Sequence, residues 1–385
     1  MKLALIASVL VAALDTTLAH GDDPVAERQE QLERRRFLEI HPNNLDHCAE
    51  KFARDGVFAD AARRRYRRAA SLMAPAALHA AIKKRQTSSL NKDHKSTKGY
   101  TPQTDPATIF ADSNSCILSP QATEGPFYVL GESIRSNIVD DQVGIPLHID
   151  FQIYDVNTCK PIKGTYFEMW NANGTGVYSG ALSVVNGLQG MTDKANLDRT
   201  YLRGSQLSDD NGVVQFNTLF PGHYDGRAPH IHVMSHVPSA KAEANNTLWH
   251  NKATYAGQIF FDQALVDAVK KTAPYSTNRQ NLLRNSADSI LLQEAQTSDP
   301  FFNYVLLGGN DLTKGVFAWY SVGINQTFTR DIMAAAMRGK DGGKMVTTNP
   351  KIPGLDAIFP GGFPTAYQPA YGGGGGQPAR PTGRP

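Results

Sequence analysis

A mainly β fold, a β-sandwich preceded by an N-terminal helical segment, is predicted by three observations. Leu147, Ile149, Phe151 and Ile153 alternate with His148, Asp150, Gln152 and Tyr154, which is the two-residue period of a strand with one face in a core and the other in water. From Cys116 onward, short runs of this kind recur between Gly, Pro, Asn and Asp turns. Upstream, over about residues 25–85, Arg, Glu and Ala surround spaced apolar residues such as Leu32, Leu38, Phe52, Phe58 and Leu72, a helical pattern.

Further strands are expected over residues 165–170, 213–219, 229–235, 257–262 and 316–322, and a sandwich is the economical way to pair them. The helical segment holds the basic run Arg63-Arg64-Arg65-Tyr66-Arg67-Arg68, read as a solvated helix face rather than a nucleic-acid patch. It is also a surface through which two copies could pair into a homodimer. After Lys83-Lys84-Arg85 a polar stretch to Thr104 reads as a linker, and the basic triplet as a processing site for a pro-segment. The tail, residues 361–385, carries a five-glycine run and too few apolar side chains to offset the entropy of ordering. The expected organisation is therefore a leader at 1–19, a helical segment and linker at 20–104, a sandwich domain at 105–360 and the tail.

The leader is read from Met1 and Lys2, an apolar run over residues 3–14, and Thr17-Leu18-Ala19 before the expected cut. The run is shorter than the roughly 20 residues a membrane-spanning helix needs, so secretion to the extracellular space is the expectation. Three sequons, at Asn173, Asn245 and Asn325, are candidate glycosylation sites in that compartment. Three cysteines permit one internal disulfide, expected between Cys48 and Cys116, and their spacing does not suit a zinc or iron-sulfur site. With 39 basic against 36 acidic residues, the net charge of +3 makes no case for nucleic acid or a membrane surface as partner.

The most informative stretch is Pro221-Gly222-His223-Tyr224-Asp225-Gly226-Arg227-Ala228-Pro229-His230-Ile231-His232-Val233. A Pro-Gly turn leads into a strand on which His230 and His232 share a face, roughly 7 Å apart at the backbone, close enough to meet on one metal. His-x-His by itself fits zinc, copper or iron. The tyrosines narrow the choice: Tyr178 follows a glycine-rich bend and Tyr224 sits on the turn before the histidines. A phenol loses its proton only near pH of about 10, so tyrosine ligation calls for a strongly acidic cation such as Fe(3+). Two phenolates and one hydroxide would balance its charge. An iron(II) site of two His and one carboxylate fits less well with a tyrosine pair. Two other readings stay open: a copper oxidative enzyme using His20 exposed by leader cleavage, and an aromatic-binding sandwich without turnover.

Four blocks in order carry a family resemblance: Leu118-Ser119-Pro120 with Glu124-Gly125-Pro126-Phe127-Tyr128; residues 170–180; Leu202-Arg203-Gly204 with residues 212–216; and residues 221–232. Over residues 116–262 the chain resembles the intradiol ring-cleavage dioxygenases, in particular their secreted branch. The resemblance implies a ferric ion held by Tyr178 and His230 in equatorial positions and by Tyr224 and His232 in axial ones. It implies that Arg227 steadies charge on a bound aromatic and that Gln258 lies near the same ring. The implied partners are a small aromatic diol and dioxygen, with Tyr224 accepting a substrate proton and a muconate-type diacid as product. Where members of that branch have a cysteine this chain has Ala172, which implies an unpaired Cys159. Choice of catechol is expected to lie in loops around residues 140–144, 180–199 and 239–251.

Overall fold

The computed structural model describes residues 45–73 and 124–346, apart from 184, 188–191, 297 and 310, together with the backbone of 116–117. The expected leader, His20, the basic triplet at 83–85, the linker and the tail lie outside these residues, as does the block at 118–120. Among the described residues no helix is long and apolar enough to cross a membrane.

Eight strands build the sandwich: β1 Pro146–Asp155, β2 Tyr166–Trp170, β3 Arg203–Leu207, β4 Val213–Leu219, β5 His230–His236, β6 Lys252–Phe260, β7 Asn303–Leu306 and β8 Val316–Ile324. The first sheet runs β7-β8-β1-β4, with β8 and β1 parallel in a register that sets Val316 opposite Leu147 and Ile324 opposite Asp155. The second runs β6-β5-β2-β3, antiparallel throughout. The expected runs at 165–170, 213–219 and 316–322 coincide with β2, β4 and β8 to within two residues, whereas β6 begins five residues earlier than the run at 257–262. Side chains from the two facing surfaces form one core. Leu147, Ile149, Phe151 and Ile153 of β1, with Val316, Ala318 and Tyr320 of β8, meet Phe167 and Met169 of β2, Ile231 and Val233 of β5, and Ile259 of β6.

The polar face of β1 departs from the half-buried expectation, because a helix covers it. Asp150, Gln152 and Tyr154 are buried along with the apolar residues between them. The cover is α1 Ala49–Arg54 and α2 Val57–Leu72, separated by Gly56 in the left-handed conformation at φ 69°. Ala62 and Ala69 recur on one face of α2, and their small side chains let the helix lie close to Phe317 and Trp319 of β8.

The basic run is therefore only in part a solvated face. Arg63 and Arg67 are exposed, but Arg65 is fully buried, its Nε 3.3 Å from Asp150 Oδ1 and its guanidinium 5.9 Å from the Trp319 ring centre. Arg64 donates to both oxygens of the same carboxylate, at 3.1 and 2.9 Å, and Arg68 donates to Asn217 of β4 at 3.0 Å. Alternation along β1 had placed Asp150 in water; the two arginines let it be buried instead.

The disulfide also differs from expectation. Cys48 pairs with Cys159, whose Cα lies 5.4 Å away, while Cys116 lies in a two-residue strand beside Ser321. Neither count nor spacing of cysteines carries this pairing. It follows from the docking of α1 against the end of β1, where Phe52 packs on Tyr154 at 4.6 Å between ring centres. His47 stands beside this bridge, which engages both sulfurs and so removes them as metal ligands.

Two predictions follow from this packing. Asp150→Ala strands the buried Arg65 and removes the partner of the half-buried Arg64, and should cost about 3–5 kcal/mol in urea denaturation. Burial raises the Asp150 carboxyl, but the arginines outweigh it and hold it below the usual carboxylate range. Its contribution is thus present above about pH 4 and lost as acid protonates the folded form, so the variant should lose part of the acid-side decline in stability. The sequons separate by burial: Asn245 is exposed, with its side chain accepting from Thr247 at 2.7 Å, whereas Asn325 is buried and Asn173 holds its own loop. Protein made in a eukaryotic secretory host should carry glycan at Asn245 and none at Asn325, as read by glycopeptide mass spectrometry.

Candidate metal centre

β5 contributes to both faces of the second sheet. Ile231 and Val233 point into the core, so His230, His232, Met234 and His236 point outward, two residues apart. That outer face is covered by residues 124–130, by the loops after β2 and β4, and by residues 332–346, which bury it around Phe127, Trp170, Tyr178, Tyr224 and Met234. Register lines up Trp170, His232 and Gln258 across β2, β5 and β6. The Trp170 indole stacks on the His232 ring at 4.9 Å and 4°, fixing its plane.

The tyrosines arrive from two loops that glycines bring together. A Cβ at Gly222 would lie 2.2 Å from Asn173 O, and one at Gly176, where φ is 81°, would lie 2.0 Å from His223 O. Within the first loop the Asn173 side chain accepts the N–H groups of Thr175 and Val177. The Tyr178 backbone is then clamped: its N–H donates to Asn186 Oδ1 at 2.6 Å, and its carbonyl accepts from the side-chain amides of Asn186 and Asn196, each at 2.8 Å. Behind it, buried Arg203 donates from Nε to Ser179 O at 2.8 Å and lies 6.0 Å from the Tyr178 ring centre. Phe127 stacks on the other side at 4.4 Å and 15°.

The result is four aromatic side chains converging in a buried space. Tyr178 Oη lies 3.3 Å from His230 Nε2, which lies 3.0 Å from His232 Nε2. The Tyr178 and Tyr224 rings are 5.7 Å apart, and Tyr224 is 5.8 Å from His230. The tautomer of His230 follows from its other nitrogen: Nδ1 is 2.7 Å from the Ala228 carbonyl and so carries the hydrogen. In the neutral ring Nε2 is left with its lone pair facing Tyr178 and His232. Such a carbonyl partner on the far nitrogen is the usual support of a metal-bound histidine. The Tyr224 hydroxyl is buried without a hydrogen bond of good geometry, its polar neighbours being Arg227 and Tyr178.

This donor set fits a highly charged cation. Burial, and then the neighbouring Tyr224, raise Tyr178 well above its ordinary value; burial likewise pushes Tyr224 up to about 12 despite Arg227. Both phenols are accordingly neutral unless something with strong Lewis acidity replaces their protons. Two imidazole nitrogens 3.0 Å apart can share only one proton between them, while a cation would engage both.

Arg227 and Gln258 are at the same place. Arg227 is buried beside both phenols, its Nη2 donates to Gln258 Oε1, and its Nε donates to Asp288 Oδ2 at 2.9 Å. Asp288, Asn186 and Asn196 were not singled out from the sequence. Asp288 stands just before the helical turn α3, Ser289–Glu294, and accepts from Leu291 N at 2.9 Å. Asp before an apolar run is a legible helix start, but nothing in the sequence ties it to an arginine 61 positions away.

The sequence model of the dioxygenase family, Dioxygenase_C, matches residues 123–242, the span that holds both tyrosines and both histidines. Among solved structures, an intradiol ring-cleavage dioxygenase from Tetranychus urticae shares 31% identity over 55% of this chain and 97% of its own, with a TM-score of 0.45. The dioxygenase Tetur07g02040 shares 32% over 55% and 96%, with a TM-score of 0.44. No curated protein sequence matches. Identity at that level across nearly the whole length of the first of these structures, with the family match across the site-bearing strands, places this chain in the intradiol ring-cleavage dioxygenase family.

Proposed function

We propose that the chain is a ferric enzyme that cleaves catechol-type aromatics between their two hydroxyl-bearing carbons, yielding muconate-type diacids, with Tyr178, Tyr224, His230 and His232 holding the metal. The observation that carries this reading is the convergence of two buried phenols on two imidazole nitrogens, one of which has its lone pair turned inward by the Ala228 carbonyl. When bound, ferric iron supplies the Lewis acidity and the dioxygen chemistry that no side chain offers.

The protein's own groups do the rest. Tyr224 would be the base: burial pushes its phenol up to about 12, so a Tyr224 phenolate would take and keep a substrate hydroxyl proton at neutral pH. Arg227 stays charged, because Asp288 and Tyr224 more than offset the cost of burying it, so it faces the ring as a fixed cation able to steady negative charge. Gln258 holds the guanidinium from the side. Phe127 and Trp170 pack against Tyr178 and His232 and keep bulk water from them, which strengthens each of these charge interactions.

The purified protein should contain iron and show a visible phenolate-to-iron absorption band, and it should consume oxygen when given a catechol. Tyr178→Phe should remove most of that band and lower turnover on the order of 100-fold or more, the scale of losing a group that orients a metal centre. Colour and turnover both kept in this variant would refute the assignment. Reduction and chelation should bleach the protein and stop oxygen uptake, and added iron should restore both. A protein that binds a catechol, shifting the band under argon, yet takes up no oxygen when air is admitted would be a binder and not an enzyme. Oxygen uptake across catechol, hydroxyquinol, and carboxylated and methoxylated catechols identifies the preferred ring.

A further inference from the structure

Asp288 is buried to 0% exposure and its two oxygens are fully engaged. Oδ2 accepts from Arg227 Nε at 2.9 Å and from the Ala228 backbone N–H at 2.8 Å; Oδ1 accepts from Leu291 N at 2.9 Å and from Arg227 Nη2 at 3.4 Å. One carboxylate therefore grips the arginine side chain along one edge and the N–H of the next residue, and is itself anchored by the first turn of α3. Gln258 takes Nη2 as well. With Nε and Nη2 so occupied, the guanidinium plane is fixed beside the two phenols. The same residue continues the constraint: the carbonyl of Ala228, whose N–H Asp288 holds, orients His230.

Resting on the functional reading above, we propose that Asp288 is a positioning residue for the reaction: it sets the angle at which Arg227 meets the bound aromatic. A buried arginine needs a counter-charge, and any nearby carboxylate could supply one. What distinguishes Asp288 is the geometry, two nitrogens on one edge of a planar fork matched to two oxygens, with the backbone of residue 228 tied to the same oxygen as Nε. Orientation and charge neutralisation predict opposite effects on an anionic ligand. If Asp288 only offsets charge, removing its charge leaves Arg227 more attractive to a catecholate. If it sets orientation, the ligand binds less well.

The test is a double-mutant cycle of Asp288→Asn and Arg227→Gln in the iron-loaded protein, read by iron content, by anaerobic spectral titration with nitrocatechol and by kcat. Asn keeps an oxygen for Ala228 N and Arg227 Nε, so D288N is expected to retain its iron and the phenolate band. Nitrocatechol should bind about 10-fold more weakly and kcat should fall by about the same factor, while in the R227Q background D288N should change either by less than about twofold. Tighter nitrocatechol binding by D288N, wild-type behaviour, or equal losses with and without Arg227 would each overturn the proposal. If D288N does not fold, Asp288→Glu enters the same cycle: it keeps the charge but lengthens the arm, so weakened binding only when Arg227 is present supports positioning, and wild-type values reject it. Wild-type protein lacking iron colour and oxygen uptake would instead reject the functional reading, so the two failures are told apart.

Discussion

His230 and His232 leave β5 on the face opposite Ile231 and Val233, so one strand both fills the core and aims two imidazoles at one point. The rest of the site depends on that placement. A two-residue period fixes the spacing of the rings; the Trp170 indole across the sheet and the Ala228 carbonyl at the strand entry fix their planes and the tautomer. The tyrosines come from loops and need more support. Their positions rest on the close contact of residues 173–176 with 222–223, which glycine permits, and on the paired asparagine clamps around Tyr178.

Buried charge recurs through the molecule, and its partners differ in kind. Asp150 with Arg64 and Arg65, and Asp288 with Arg227, are ion pairs whose carboxylates stay below the usual range because arginine outweighs the cost of burial. Behind Tyr178 the balance tips the other way. Burial pushes Glu132 and Glu168 up to about 8 and His236 down to about 4, and the His236 Nε2 and Glu168 Oε2 atoms lie 2.8 Å apart. Arg203, 3.5 Å from Glu132, is the fixed cation of that cluster and also braces the Tyr178 loop through Ser179. The pairs that hold α2 and Arg227 keep their charges, whereas burial disfavours charge on both members of the Glu168–His236 contact.

The N-terminal helices illustrate how a local pattern can be right and its environment wrong. Arg, Ala and Leu favour helix, and α1 and α2 form where that composition occurs. Solvation of the arginine run holds for Arg63 and Arg67 but not for Arg65, which turns into the sheet with Arg64 beside it. No periodicity distinguishes an arginine aimed at water from one aimed at an aspartate 85 positions away. The Cys48–Cys159 bridge lies on the same seam and was missed for the same reason.

By itself the sequence determined the β-rich character of the chain, most strand positions, the shared face of His230 and His232, and the tyrosine company on which the proposal of a ferric site rests. These depend on alternation and on side-chain acid–base properties, which are local. Only the tertiary structure decided which face of β1 meets α2, which cysteines join, and that Asp288, Asn186 and Asn196 support Arg227 and Tyr178. Those contacts join segments distant in the chain, and their partners are chosen by packing and by the need to satisfy buried polar groups rather than by any pattern along the sequence.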